Sequence, residues 1–227
     1  VTSSAELDCQ AKRGVNRKVW NLRYEGATVF EEIILEGPNP TSGPWAPPGS
    51  YAAKLTVDDV ALIQPFDVNK RSPLGNVTQT DLQAHFQFAL QIRGATSTAN
   101  RSVVLIREVR NRLRARLRKS ESAKLIRVGN EFLERITRVE GELYQVHNQA
   151  SKDKIAFPIK LNNRLSALRG LLERGDARPT PAHYAVYREL VSELERLTET
   201  LNAQIPSSGP KVDSLLSSQN LAPAVGH

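Results

Sequence analysis

YAAKLTVDDVALIQPFDVNKRSPLGNVTQTDLQAHFQFALQI, residues 51–92, contains the one change of hydrophobic period in this chain. In its first half Tyr51, Ala53, Leu55 and Val57 alternate with small or polar residues, and Asp58-Asp59 supplies a turn. Val60, Leu62, Gln64, Phe66 and Val68 continue the alternation, which predicts a β-hairpin with one buried face. In its second half Leu82, Phe86, Ala89 and Ile92 recur every three to four residues, the spacing of one helix face. Thr78 followed by Asp81 marks the helix start. Asn69–Asn76, rich in turn formers, links the two patterns. A β unit over residues 1–75 and a helical unit over residues 76–227 follow.

Upstream of the hairpin, Val15–Tyr24 reads as a strand and Thr28–Leu35 as a further strand or an irregular arm. Glu36–Ser50 contains five prolines and three glycines, so it is not expected to sustain a ladder. The total is four or five strands, fewer than the seven or so of an independent sandwich. That shortfall predicts an incomplete β unit or one that leans on the helices.

Downstream, the first apolar stripe continues through Val103, Ile106, Val109, Leu113 and Leu117, with a possible bend at Gly94–Asn100. A second helix is expected over Glu121–Gln149, facing Ile126, Leu133, Ile136, Leu143 and Val146 inward. A third carries Leu161, Leu165, Leu168 and Leu172 and stops at Gly175. Thr180-Pro181 opens a fourth, with Tyr184, Tyr187, Leu190, Val191, Leu194, Leu197 and Leu201 as its stripe. Pro206–Pro210 is expected to break it, leaving Val212–Leu221 as a short helix that packs back. Short connections predict an antiparallel up-down bundle.

Charge is divided between the two units. Residues 1–78 carry 8 Lys/Arg against 9 Asp/Glu, and residues 79–205 carry 22 against 14, so the overall +7 belongs to the helices. Cys9 is the sole cysteine, which excludes an internal disulfide and a thiolate metal cluster. No run approaches the roughly 18 apolar residues of a membrane span. The amino end, Val-Thr-Ser-Ser, is neither a start methionine nor a signal peptide, and it reads as part of a longer or processed protein.

Chemistry-bearing patterns are sparse. His85, His147, His183 and His227 share no metal-ligand spacing, and no nucleophile elbow or glycine-rich phosphate loop is present. No catalytic residue, metal or cofactor is therefore assigned. The acidic pairs Glu31-Glu32, Asp58-Asp59, Glu140 with Glu142 and Glu193 with Glu195 read as solvated charge. The sharpest feature is Arg107–Lys119, where seven of thirteen residues are basic: Arg107, Arg110, Arg112, Arg114, Arg116, Arg118 and Lys119. Such a cluster suits a polyanion or an anionic surface. Against that, alternating arginines surround the Leu113/Leu117 seam instead of forming a stripe, and Glu121, Glu131 and Glu134 are placed to neutralise one side. No aromatic residues interleave for base stacking, so nucleic acid is disfavoured. Asn162-Asn163 is expected to bond across helices or satisfy a backbone group, with a ligand role as the alternative.

Three segments together resemble a known family. Gly14-Val15-Asn16-Arg17-Lys18-Val19-Trp20-Asn21-Leu22-Arg23 resembles the strand that follows the propeller in bacterial sortilin-like proteins with BNR/Asp-box repeats, often labelled glycosyl hydrolases. Ala46-Pro47-Pro48-Gly49-Ser50-Tyr51 with Lys54-Leu55-Thr56-Val57 is similar to their Ig-like hairpin. Ile155–Leu165 and Asp176–Thr180 resemble their C-terminal helical region. Asn21 stands where that family has Asp. The resemblance implies an α+β chain, an Ig-like or fibronectin-III-like β-sandwich followed by the bundle, with Trp20 and Tyr51 in the sandwich core. It also implies an extracytoplasmic setting and an upstream β-propeller of the same parent protein as partner. The propeller, where a hydrolase site would be sought, lies outside these residues.

The expected function is thus a non-catalytic C-terminal structural or interaction module. The rivals are a polyanion-binding module using Arg107–Lys119, a glycoside hydrolase-like enzyme with a site between the halves, and a homo-oligomeric scaffold built on the amphipathic helices.

Overall fold

A computed structural model describes residues 12–37, 39–70 and 75–225. Cys9, His227 and residues 71–74 of the linker lie outside them. The chain is α+β, the described residues forming four strands in two antiparallel pairs and four α-helices.

Three rods make the helical unit. The first is α1, Gln79–Leu117, an unbroken 39-residue helix about 60 Å long at 1.5 Å per residue. It opens on a reciprocal cap: Asp81 N donates to Thr78 Oγ1 at 3.1 Å and Thr78 N donates to Asp81 Oδ2 at 3.0 Å. The hydrogen bonds from Thr78 hold the Asp81 carboxyl below its usual range. The bend expected at Gly94–Asn100 does not occur. Thr96, Ser97 and Thr98 return their hydroxyls to carbonyls four residues back, and Thr96, Ser97, Ala99 and Asn100 are buried. Packing overrides weak propensity there.

The second rod is interrupted. It consists of α2 (Ala123–Leu143) and α3 (Leu161–Leu172), laid end to end. Gly129 packs under Leu117 and Glu140 meets Arg107, so α2 runs antiparallel to the C-terminal half of α1. Asn162 meets Asn100 and the Ala177 carbonyl meets His85, so α3 continues in the same direction along the N-terminal half. Consecutive α2 and α3 are therefore not antiparallel neighbours. Helix α2 ends at Leu143, six residues before its expected limit, where Tyr144 turns to extended backbone. Val146 consequently lies outside the helix and is exposed, while Leu125, Phe132 and Val139 join Leu133, Ile136 and Leu143 inside.

The third rod, α4 (Pro181–Ser217), runs alongside α1: Phe88 packs on Tyr184 and Tyr187 near one end, and Arg116 Nε donates to the Ala222 carbonyl at the other. Pro206 and Pro210 do not break it. Both face solvent, as does Asn202, so the carbonyls freed by the missing donors face water, while Leu201, Gly209, Val212 and Leu216 hold the inner face. The segment after Ser217 turns back as coil, its Ala224 and Val225 amides held by Asp213 Oδ1. Ile92, Ile106 and Leu113 of α1, Phe132 of α2, Leu161 and Leu165 of α3 and Leu190 of α4 form one core, each worth about 1.5–3 kcal/mol of burial.

Among the described residues of the N-terminal third the strands form two separate two-stranded antiparallel sheets, and no Ig-like sandwich is seen. Val15–Tyr24 contributes only β1, Arg23–Glu25, and this pairs with β2, Ser42–Trp45, inside the segment where no ladder was expected. A register shift between Arg23 and Glu25 accommodates Pro44. Gly43 is needed for this pairing, because a Cβ there would fall on the Tyr24 and Glu25 carbonyls. Gly43→Ala is expected to cost about 2 kcal/mol locally, the scale of overpacking. Hydrogen exchange should show faster amides at 23–25 and 42–45 with those of α4 unchanged.

Between β1 and β2 the chain is an irregular arm that runs along the bundle. Thr28 N donates to Ser97 Oγ at 3.0 Å and the Thr28 carbonyl accepts from Asn100 Nδ2 at 2.7 Å. Ile34 N donates to the Tyr144 hydroxyl at 3.2 Å, and Glu36 exchanges two 2.7 Å bonds with the Asn163 amide. The arm lies across the gap between α2 and α3, and polar side chains of the rods satisfy its backbone.

Candidate functional site

Two features stand apart from ordinary packing: the hairpin and a polar cleft at the break in the second rod. The hairpin pairs β3 (Gly49–Val57) with β4 (Val60–Val68) in the expected register, from Gly49 opposite Val68 to Val57 opposite Val60. Asp58 adopts φ 51° in the two-residue turn. Tyr51, Ala53, Leu55, Val57, Val60, Leu62, Gln64 and Phe66 share one face, as the alternation predicts. Only the base of that face is covered. Trp20 lies 5.7 Å from Tyr51 and 6.2 Å from Phe66, ring centre to ring centre, and Tyr24 links this cluster to Phe86 of α1 at 4.9 Å. Burial there, with Tyr24 alongside, pushes the Tyr51 phenol up to about 12. Beyond the base no described residue covers the stripe: Leu55 is 54% exposed, Val57 55%, Val60 63% and Leu62 64%. The expectation of a buried face thus fails along the outer half, because among the described residues no second sheet layer lies on it.

The arginine cluster is divided by α1 among different surroundings. Arg107 Nε donates to Glu140 Oε1 at 2.7 Å, and Arg110 Nη1 reaches the other oxygen of the same carboxylate. Arg116 caps carbonyls of Ala222 and, at 3.0 Å, Arg112. Arg112 is half-buried, and Arg114, Arg118 and Lys119 are exposed near the end of the helix. The neutralising group is Glu140, not Glu121, Glu131 or Glu134. Glu131 pairs with Arg127 at 3.6 Å. Glu140 is 1% exposed, so this acidic residue is interior and not part of a solvated face.

Above that bridge lies a cleft of about 590 Å³, bounded by α1, the arm and residues 144–150. Its walls include Glu32, Arg107, Arg110, Asn111, Tyr144 and Asn148. The Arg107 guanidinium stacks 4.6 Å from the Phe30 ring centre and 5.3 Å from that of Tyr144. Glu32 sits at the rim with φ 61°, a conformation that side chains other than glycine adopt at a cost. Asn148 Nδ2 donates to the Ile34 carbonyl at 3.3 Å, while its Oδ1 is buried without a partner. The arginines were visible in the sequence. Glu140, Tyr144 and Asn148 were not recognised, because their convergence depends on where α2 ends.

The remaining sequence candidates serve the fold. His183 completes the Thr180 cap of α4, with Thr180 N donating to its Nδ1 at 3.1 Å. His147 lies beside Phe157. Asn162 Nδ2 crosses to Asn100 Oδ1 at 2.9 Å, and Asn163 holds the Glu36 backbone, so both expected roles occur. Glu142 pairs with Lys160 and Glu193 with Arg164. Among the described residues no cluster of three His, Cys, Asp or Glu is placed to hold a metal ion. Among the described residues no helix is long and apolar enough to cross a membrane. No family model, curated protein or solved structure matches this chain.

Proposed function

We propose that this chain is a non-catalytic structural and interaction module of a larger extracytoplasmic protein. In this reading it docks an adjoining β-propeller through its hairpin. The observation that carries the reading is the uncovered stripe Leu55, Val57, Val60 and Leu62 on a ribbon about 30 Å long, at roughly 3.4 Å per residue. A two-stranded hairpin in water is marginal by itself, and contiguous exposed apolar surface marks an interaction site. The stripe has no ionised side chain, which favours an apolar sheet face packing at about 10 Å over a charged partner. The motif likeness to sortilin-like proteins points to the same occupant, a neighbouring sheet.

The test is to express the adjoining propeller and this chain as separate polypeptides and measure their association. Leu55→Lys with Leu62→Lys is expected to weaken it by about a hundredfold, the scale of losing an interface hot spot, while thermal stability of the chain stays nearly unchanged. Equal association of native and double-variant chains overturns the reading. A pure native chain that sediments as a dimer, and as a monomer when doubly substituted, reassigns the stripe to a second copy. Turnover of a glycan by the pure chain, abolished by one carboxylate substitution, overturns the non-catalytic part.

A second reading, a polyanion-binding surface, is favoured by the exposure of Arg114, Arg118 and Lys119. It calls for salt-sensitive affinity for heparin that falls when those three are replaced by alanine.

A further inference from the structure

We propose that the cleft at the α2–α3 break binds a free amino acid, its carboxylate on the Arg107/Arg110 pair and its ammonium toward Glu32. The cleft volume of about 590 Å³ is within the range of small-molecule sites and exceeds what a bare ion requires.

Donors on its floor are fixed and not fully used. Arg107 engages Glu140 through Nε alone, and Arg110 through Nη1 alone. The two Nη groups of Arg107, and the Nε and Nη2 of Arg110, have no partner among the described residues. Glu140 beneath and the Phe30 and Tyr144 rings beside it hold the Arg107 fork in one orientation, so little side-chain entropy remains to be lost on binding. The Tyr144 hydroxyl accepts from Ile34 N and retains its own hydrogen to donate. A planar carboxylate is the acceptor that fits a guanidinium fork in two parallel bonds.

Charge then distinguishes a zwitterion from a simple anion. Two guanidiniums face one buried carboxylate, which leaves one positive charge on the floor. Glu32, the acidic residue on the wall, is at the exposed rim. Arg107, Arg110, Glu140 and Glu32 therefore sum to neutrality, with the positive end inside and the negative end outside. A phosphate or a polyanion would leave Glu32 opposing it. An amino acid matches both ends of this arrangement.

The experiment is calorimetric titration of the full chain with the standard amino acids, acetate, ethylammonium and inorganic phosphate. At least one amino acid is expected to bind saturably, and acetate and ethylammonium each about tenfold or more weaker, the scale of one charge-assisted hydrogen bond. Arg107→Lys keeps the charge opposite Glu140 but removes the fork, and should weaken the amino acid by about tenfold or more. Glu32→Gln should weaken the amino acid and leave acetate unaffected. Unchanged melting temperatures of both variants separate binding from folding. The proposal fails if no amino acid binds saturably, if phosphate binds as well as the best amino acid, or if Glu32→Gln weakens acetate and amino acid equally.

Discussion

Glu140→Ala is expected to destabilise the chain by about 3–5 kcal/mol, nearer the lower value, the cost of stripping a buried ion pair of one partner. Glu140 is 1% exposed and accepts from two arginines, whose side chains are 31% and 17% exposed. Alanine leaves Arg107 and Arg110 facing each other across a void, with the Arg110 charge cut off from most solvent. Arg107 reaches water more readily, which moderates the loss. A urea titration reads this as a lower midpoint at unchanged slope. Glu140→Gln keeps the shape but not the charge and should fall between native and alanine. The double variant Glu140→Leu with Arg110→Leu should recover part of the loss, since an apolar pair of similar volume replaces an ion pair that was costly to bury. If Glu140→Ala unfolds at the native midpoint, the bridge contributes nothing and the fixed floor of the cleft loses its support.

How much of this was legible beforehand depended on the range of the contacts involved. The hairpin register followed from alternation and the Asp58-Asp59 turn, which are local. The caps at Thr78 and Thr180 were equally local. The hairpin's second layer was not legible, because alternation sorts residues onto two faces without stating that anything covers either. Similarly, Gly94–Asn100 and Pro206–Pro210 carry poor helix formers, yet both stretches are helical because neighbours bury one side and solvent receives the freed groups on the other. The cleft depends on the least local contacts of all. Arg107 and Arg110 stood out, but Glu140 was hidden among many acidic residues of a helix, and Tyr144 and Asn148 acquire their positions only because α2 stops at Leu143. The arm shows the same limit: Thr28–Leu35 lacks a period, and its path is set by side chains about 70 to 130 residues away.

Asn100→Ala is expected to cost about 2–3 kcal/mol, the combined scale of one buried orphaned amide, one partly hydrated carbonyl and a small cavity. Asn100 is fully buried in the middle of α1. Its Nδ2 donates to the Thr28 carbonyl at 2.7 Å and its Oδ1 accepts from Asn162 Nδ2 at 2.9 Å. One side chain therefore satisfies the arm on one side and α3 on the other. Alanine strands the Thr28 carbonyl and the Asn162 amide together; Thr28 is exposed, so water can take up part of its loss, whereas the Asn162 amide is fully buried. Amide exchange from Thr28 to Ile34 should quicken along with the fall in global stability, whereas β3 and β4, which touch none of these groups, should exchange as before. Asn162→Leu provides the control. Asn162 already has a buried Oδ1 without a partner, so leucine removes one orphan and creates another at Asn100 Oδ1. Its cost should be well below that of Asn100→Ala, whereas equal losses would mean that volume, and not hydrogen bonding, holds the arm to the bundle.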